Sequence, residues 1–107
     1  MEIIINKNEN TVTIVFDSTL TYNNKKDFTK AWEDKPNETK YILDFANTKK
    51  IDSAGIGMLL LLREKTCANS NTNQLKMINV NNDIRNILNI IKFYGSFYPH
   101  KEGNKHA

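Results

Sequence analysis

The sequence predicts an α/β fold with a single mixed sheet of four to five strands and three main helices packed against it. Three observations support this prediction. Apolar side chains at positions 12, 14 and 16 alternate with neighbours that are mostly threonine, as in a strand with one face on a core. Positions 84, 87, 88 and 91 are apolar at helical spacing. Strand-like and helix-like segments alternate from residue 11 onwards, which is typical of a layered α/β domain.

Two strands are predicted at the start of the chain. Residues 3–6 and 11–16 have strand character and are separated by the polar stretch 7–10, so a hairpin is the economical interpretation. A loop follows. A first helix is predicted over 22–34 and ends before Pro36, because proline excludes a continuing helix. Its inner face carries Phe28, Ala31 and Trp32.

The middle of the chain holds the most apolar segments. Residues 41–45 are apolar almost throughout and predict a strand in the centre of the sheet. After a loop over 46–52, a second helix is expected to begin at Ser53 and to fade in the polar stretch 68–73.

The last third repeats the strand–helix order. A fourth strand is predicted over 75–80, and the run Asn81-Asn82-Asp83 supplies a cap for the third helix. A short final strand is predicted over 93–97. One domain is therefore expected over residues 1–98, with a flexible tail over 99–107.

Composition limits the classes of function. The 107 residues are 39% hydrophobic and 25% charged, and neither a membrane-spanning stretch nor a secretory signal is present. The single cysteine, Cys67, cannot form an internal disulfide and fits a reducing cytoplasm. The net charge of +3 comes without a dense Lys/Arg run, which argues against direct nucleic-acid binding. We expect a cytoplasmic protein without membrane insertion.

The stretch around Asp52-Ser53 is the candidate site. Both residue types are favoured helix N-caps, so a purely structural role stays open beside a functional one. Gly55 and Gly57 each cost a helix about 1 kcal/mol relative to alanine and need a reason. That reason is close approach of a backbone, either from the protein's own strand or from a docked partner.

The apolar residues after Gly57 predict two apolar faces on this helix. On a 3.6-residue period, Ile56, Leu59 and Leu60 fall on one side, and Met58, Leu61 and Leu62 fall nearly opposite. One face can pack on the sheet. The other needs a neighbouring helix or a second protein, because small monomers seldom leave a large apolar patch in water.

Catalytic chemistry is not predicted. A nucleophile elbow needs glycine two residues before the serine, where this chain has Ile51, and the only histidines are His100 and His106 near the end of the sequence. No phosphate-binding loop motif is present, and the two histidines lack cysteine partners for a metal site. We expect no enzymatic activity, no cofactor and no metal. A phosphate on Ser53, by contrast, would lie favourably at the start of a helix and could prevent a partner from docking there.

The chain resembles the STAS domain family, the bacterial anti-sigma factor antagonists. The resemblance rests on the strand over 41–45, on its spacing to Ile51-Asp52-Ser53-Ala54-Gly55-Ile56-Gly57, and on the leucines that follow. It extends through the strand over 75–80 and the helix over 84–91. The resemblance implies a STAS-like fold.

The resemblance also implies a switching role. Ser53 would be phosphorylated by a partner anti-sigma factor with serine-kinase activity and dephosphorylated by a PP2C-type phosphatase. The unphosphorylated form would bind the anti-sigma factor, and the phosphorylated form would release it. The implied partner-binding residues lie in the loop before the first helix and in the first turn of the Ser53 helix: Ser18, Thr19, Leu20, Thr21, Asp52, Ser53, Ala54, Gly55, Ile56 and Gly57.

One departure from the family concerns that loop. Many kinase-regulated members carry Gly-x-Leu-Asp where this chain has Ser18-Thr19-Leu20-Thr21, so the glycine and the aspartate are both missing. In those members the acidic residue assists the phosphorylation exchange. An alternative within the family is a STAS accessory subunit of an ABC-type lipid transport ATPase, which shares the Asp-Ser/Thr-Ala-Gly turn without phosphorylation. A third possibility keeps the fold and loses the switch, with the domain acting only as a scaffold in a sensor complex. For the anti-sigma factor antagonist a monomer or weak dimer is expected.

Overall fold

A computed structural model describes residues 1–36, 38–67, 74–91 and 96–99. A short 3₁₀ turn over Tyr22–Asn24 precedes the first helix. The strands are β1 (Glu2–Asn6), β2 (Thr11–Val15), β3 (Thr19–Leu20), β4 (Lys40–Asp44), β5 (Lys50–Ile51), β6 (Leu75–Val80) and β7 (Ser96–Pro99), and the helices are α1 (Lys25–Lys30), α2 (Ser53–Cys67) and α3 (Asn82–Ile90).

Five strands form one mixed sheet in the order β1-β2-β4-β6-β7. β1 is antiparallel to β2, which confirms the predicted hairpin, and the other neighbours are parallel. From β2 to β7 every connection steps in the same direction across the sheet. Right-handed crossovers, which are nearly universal, then place all three helices on one face. The predicted α/β fold, with three helices on one sheet and the strand over 41–45 at its centre, is confirmed.

Burial distinguishes the two faces of this sheet. The row Val12, Tyr41 and Leu75 is buried, and so is the next row on the same face. On the opposite face, Thr13 and Ile42 are partly exposed and Lys76 is exposed. The alternation predicted for residues 11–16 is therefore confirmed, with the helices covering the side that bears Val12, Ile14 and Phe16.

Aromatic side chains attach α1 to the sheet. Phe16 lies between Phe28 and Phe45, with ring centroids 5.9 Å and 4.9 Å away. Trp32 contacts Phe28 edge-on at 6.2 Å, and Ala31 is also buried. The inner face predicted for this segment is confirmed, and it holds the loop over 17–21 close to the core.

The single helix predicted over 22–34 is shorter in the structure. An α-helix forms only over Lys25–Lys30, between the 3₁₀ turn and a series of turns over 31–34. In those turns Trp32 N–H donates to the carbonyl of Thr29, and Lys35 N–H donates to that of Trp32. These tight i→i+3 bonds end the helix before Pro36, whose ring disfavours a helical residue in front of it.

The last third follows the prediction closely. β6 spans the predicted residues 75–80, and the Asn81 side chain caps α3 by accepting a hydrogen bond from Ile84 N–H at 2.9 Å. Ile84 and Leu88 are fully buried in the core. β7 begins at Ser96, and residues 93–95 of the predicted final strand lie outside the described residues. The same holds for residues 68–73 and 100–107, so the flexible tail stays a prediction. None of the helices in the described ranges is long and apolar enough to cross a membrane.

Candidate functional site

A small parallel pair of strands joins the loop before α1 to the segment that leads into α2. β3 pairs with β5, with Thr19 opposite Lys50 and Leu20 opposite Ile51. The Ser18 carbonyl accepts hydrogen bonds from Lys49 N–H and Lys50 N–H at 2.8 Å and 3.1 Å. The loop before α1 is thereby fixed beside the segment that leads into α2. Both segments were predicted as loops, because two-residue strands leave no periodic pattern in a sequence.

Asp52 is the N-cap of α2. Its Oδ1 accepts a hydrogen bond from Gly55 N–H at 2.8 Å, and its carbonyl accepts one from Ile56 N–H at 2.9 Å. Its own N–H donates to the Leu20 carbonyl at 3.2 Å, which ties the helix start to β3. The cap interaction that the sequence left open between two residues therefore belongs to the aspartate.

Ser53 is the first residue of α2 and is exposed. Within the described part of the chain, its hydroxyl makes no hydrogen bond. The unpaired N–H groups of the first helical turn lie close to this position, and the helix dipole is positive there. The Ser53 hydroxyl is therefore free for chemistry with another molecule, and the fold does not depend on it.

Gly55 is required by the protein's own packing. It is buried, and a Cβ at this position would lie 2.9 Å from a methyl carbon of Ile51 and closer still to the Leu20 carbonyl oxygen. Any side chain would separate the helix from the β3–β5 pair. Of the two explanations left open by the sequence, close approach of the protein's own strand applies to Gly55.

Gly57 has no such explanation. It is exposed, and a Cβ built on it would meet nothing within 4 Å. It lies one helical turn after Ser53 on the same face, with Leu61 one turn further on. The Leu61 side chain is 49% exposed. This surface, Ser53, Gly57 and Leu61, is called the α2 outer face below.

The predicted division of α2 into two apolar faces was wrong. Met58 and Leu62, assigned to the side away from Leu59, are buried together with it, and Leu61 alone of that group is exposed. Ile56 and Leu60 are half-buried at the flank of the helix. The contact of Gly55 with Leu20 fixes the rotation of the helix about its axis, so positions 55, 58, 59 and 62 point to the core.

The structure sorts the ten predicted partner-binding residues by exposure. Leu20 and Gly55 are buried against each other and support the site from below. The remaining eight reach the surface: Ser18, Thr19, Asp52, Ser53 and Gly57 are exposed, and Thr21, Ala54 and Ile56 are half-buried. Contacts with a partner can therefore come from these eight residues.

Thr21 begins the 3₁₀ turn before α1. Its hydroxyl accepts a hydrogen bond from Asn23 N–H at 3.3 Å, and its own N–H donates to Asn24 Oδ1 at 3.0 Å. This reciprocal capping box is a role that aspartate performs equally well. Threonine therefore preserves the local structure that an aspartate at this position would give, without its negative charge.

Two asparagines outside the predicted site, Asn79 and Asn81, also stabilise it. Asn81 Nδ2 donates to the Thr48 carbonyl at 3.1 Å, and Asn79 Nδ2 donates to Asp44 Oδ1 at 3.0 Å. The same carboxylate oxygen accepts Ala46 N–H at 3.0 Å. The loop between β4 and β5 is thus held from the β6–α3 junction. The cluster of asparagines at positions 79, 81 and 82 was the signal in the sequence that could have indicated these contacts.

No group of three or more His, Cys, Asp or Glu side chains that could hold a metal ion occurs among the described residues. The site instead consists of an exposed helix start, an adjoining loop fixed to it by backbone hydrogen bonds, and a solvent-facing strip along α2. Together, fold and site define a small α/β domain whose predicted partner-binding residues lie at the start of α2 and in the loop fixed beside it.

Comparison with known proteins assigns this domain to a family. The STAS domain model matches residues 2–104, so the chain belongs to the STAS family. A search of curated proteins finds no significant match.

Solved structures share the fold at low sequence identity. A candidate anti-sigma factor antagonist from Thermotoga maritima has a TM-score of 0.68 at 16% identity, covering 91% of this chain and 84% of that one. The anti-sigma factor antagonist SpoIIAA in its unphosphorylated form has a TM-score of 0.68 at 15% identity, covering 90% and 84%. A sulfate transporter family protein from Wolinella succinogenes has a TM-score of 0.67 at 16% identity, covering 92% and 83%.

Proposed function

We propose that this protein is an anti-sigma factor antagonist that works as a partner switch in the cytoplasm. In its unphosphorylated form it binds an anti-sigma factor with serine-kinase activity. Phosphorylation of Ser53 by that partner releases it, and a PP2C-type phosphatase restores the binding form. The protein itself catalyses no reaction in this scheme. Two of the structural neighbours carry an anti-sigma factor antagonist description, which supports this choice within the family.

The observation that carries the proposal is that Asp52 and Ser53 have different roles at the start of α2. Asp52 caps the helix, whereas the Ser53 hydroxyl is exposed and has no hydrogen-bond partner among the described residues. A serine needed only to start the helix would be expected to make the cap interaction itself. Here its hydroxyl can receive a phosphoryl group without loss of a hydrogen bond within the described part of the chain.

A phosphate on Ser53 is compatible with the folded domain. It brings roughly −1.5 to −2 charges at neutral pH and lies against the positive end of the α2 dipole. Lys49 and Lys50 are exposed in the segment that leads into α2 and add positive charge close to Ser53 in the sequence. The domain therefore stays folded, while a partner packed on the first turn of α2 would lose contacts and meet new charge. This asymmetry is what a switch requires.

The α2 outer face supports the proposal that a partner docks at the start of α2. Gly57 costs the helix about 1 kcal/mol relative to alanine, and no described residue of the protein lies within 4 Å of the place that a Cβ would take. The backbone of a docked partner could occupy this open space. Leu61, one helical turn after Gly57, is half-exposed, so the α2 outer face offers a partner an apolar contact close to Ser53.

The proposal is tested first by the modification state of the protein from its own host. Intact mass under growth and stress conditions, followed by peptide mapping, is expected to show an addition of about 80 Da on Ser53 that varies with condition. A Ser53→Ala chain is expected to lack it. Ser18→Ala is the matched control, because Ser18 is exposed on the adjoining loop and only its carbonyl is used in the site. A chain unmodified under every condition would contradict the switch.

The same preparation tests the alternative role. Co-purification with an anti-sigma kinase supports the partner switch. Co-purification of unmodified protein with a transport ATPase would instead support an accessory subunit, with Ser53 part of a permanent docking surface. The transporter-family neighbour has the same fold, so fold alone does not separate the two.

Leu61→Lys is expected to leave the Tm within about 2 °C of wild type, because the side chain is half-exposed and outside the buried face of α2. Binding of the anti-sigma factor is expected to weaken at least tenfold, because a charge replaces an apolar contact. Calorimetry and a binding titration measure the two effects. Ile90→Lys is the control, since Ile90 is 78% exposed on a different helix and should change neither quantity. A large fall in Tm would show that Leu61 packs inside.

Thr21→Asp is expected to keep the stability of the protein within about 0.5 kcal/mol, because aspartate caps a turn as well as threonine does. It restores the acidic residue that many kinase-regulated family members carry in this loop, so phosphorylation of Ser53 by the partner kinase is expected to become faster. Time courses of phosphate incorporation measure this. Thr21→Asn, which caps without charge, is the control. Equal rates for all three proteins would show that the charge has no part in the exchange.

A further inference from the structure

The two edges of the main sheet differ in how they are protected against pairing. β7 forms one edge and ends in Pro99, which has no N–H to donate to another strand. β1 forms the other edge and pairs only with β2 in the described part of the chain. Natural edge strands are commonly blocked by charged side chains, proline or a bulge. β1 reads Glu-Ile-Ile-Ile-Asn in continuous register with β2, so Glu2 at its first position is its one charge and the rest of the strand has none of these devices.

β1 also exposes apolar side chains on both faces of the sheet. Ile4 is 48% exposed and Ile5 is 50% exposed. Successive strand residues point to opposite faces, so Ile5 lies on the side of the helices and Ile4 lies on the open side. Neither residue belongs to the docking segments around Ser18 and Ser53. A free backbone edge and two half-exposed isoleucines therefore coincide on one five-residue strand that the proposed switch does not use.

We propose that β1 is the pairing edge of a homodimer, in which the β1 strands of two copies run antiparallel and join two sheets into one. The strand length fixes the register. Full overlap of two five-residue strands is reached only when Ile4 of one copy lies opposite Ile4 of the other. Every pair in this register joins positions of equal parity. Along β1, either the even-numbered or the odd-numbered residues point their N–H and C=O groups away from β2. In this register these residues of one copy lie opposite the same set of residues in the other copy, so their backbone groups can form hydrogen bonds.

The side chains are self-complementary in this register. Glu2 lies opposite Asn6, Ile3 opposite Ile5, and Ile4 opposite itself, so no two like charges face each other. The two Ile4 side chains come together on the open face, with Cβ atoms about 4.5–5.5 Å apart. The two Ile5 side chains are covered on the helix side by Ile3 of the other copy. A second copy of the chain therefore places isoleucine against isoleucine and no like charges opposite each other, which makes it a suitable occupant of this edge.

The contact is small. Stable interfaces bury about 1,200–2,000 Å² in total, and a single pair of five-residue strands covers less than that. We therefore expect a weak dimer, with a Kd between roughly 10 µM and 1 mM, that forms when the protein is concentrated locally. It leaves the α2 outer face open, so each dimer presents two docking surfaces.

Sedimentation equilibrium of the full chain over roughly 10 µM to 1 mM, a range that brackets the expected Kd, tests the proposal. The mass average is expected to rise towards twice that of the monomer. Ile4→Lys is expected to weaken dimerisation at least tenfold, and the exposed control Ile90→Lys is expected to leave it unchanged. Wild-type protein that stays monomeric throughout, or a dimer that survives Ile4→Lys, would overturn the proposal.

A disulfide trap tests the register independently of how well the lysine variant folds. In a chain whose native cysteine is replaced (Cys67→Ser), Ile4→Cys places two thiols opposite each other, with Cα atoms about 4.5–5.5 Å apart, within the range of a disulfide. Ile5→Cys is the matched control, because two copies of position 5 lie two residues out of register, more than about 7 Å apart. Mild oxidation is expected to trap the first dimer and not the second. Equal trapping of both, or of neither, would overturn this register.

Discussion

Ser53→Asp is expected to weaken binding of the anti-sigma factor by at least tenfold, about 1.4 kcal/mol, while leaving the Tm nearly unchanged. The exposed side chain makes no hydrogen bond among the described residues, so the fold loses nothing. A carboxylate at the start of α2 interacts favourably with the helix dipole, as a phosphate would. A partner packed on this turn would meet a new charge and lose a desolvated contact. Binding titration and calorimetry on the same preparation separate the two effects.

Ser53→Ala is the control for this prediction. It removes the hydroxyl without adding charge, so it is expected to bind the partner within about threefold of wild type, which is a difference of about 0.7 kcal/mol. It is also expected to resist phosphorylation. If wild type and Ser53→Asp bind equally well, charge at this position does not control the complex, and the switch would have to be abandoned. If Ser53→Asp unfolds the protein, the conclusion that the fold does not depend on the Ser53 side chain would be wrong.

Gly55→Ala is expected to destabilise the protein by about 2–4 kcal/mol. The added methyl group would overlap the Leu20 carbonyl oxygen and a methyl carbon of Ile51, and the first of these belongs to backbone that holds the β3–β5 pair. Relief requires the start of α2 to move away from Leu20 and Ile51, that is, from the β3–β5 pair. We therefore expect weaker partner binding as a consequence of lost structure.

Gly57→Ala is the matched control, two residues along the same helix. Its methyl group would meet nothing within 4 Å, so the change is expected to raise stability by up to about 1 kcal/mol through helix propensity. Urea denaturation of both variants measures the contrast. A mild effect of Gly55→Ala would contradict the close approach of α2 to β3. If Gly57→Ala lowers partner affinity although it raises stability, the open space at Gly57 serves a partner.

Much of this fold follows from local patterns. Val12, Ile14 and Phe16 at every second position defined β2 and its buried face, and Ile84 with Leu88 at helical spacing defined α3. Asn81 marked the start of that helix through its cap. These signals survive in a single sequence because each is complete within a few residues.

The arrangement of the site depended on contacts between distant segments, and the sequence did not reveal it. The β3–β5 pair is too short for any periodicity, although it brings the loop near Ser18 to the start of α2. The rotation of α2 is set by the fit of Gly55 against Leu20, so the apolar run alone could not show that Leu61 is exposed. Asp52 and Ser53 are equivalent as caps by residue type, and only the hydrogen bond to Gly55 N–H distinguishes them.

The anchoring of the loop between β4 and β5 bears on the rate of the proposed partner switch. Thr48 is held by Asn81, and Lys49 and Lys50 are held by the Ser18 carbonyl, so the backbone that presents Ser53 is ordered before any partner arrives. Little conformational entropy is then lost on docking, and association needs no slow rearrangement. We expect an association rate constant of about 10⁵–10⁷ M⁻¹s⁻¹ for the unphosphorylated protein. Phosphorylation is expected to slow association through the added charge and to shorten the lifetime of the complex through the lost contacts.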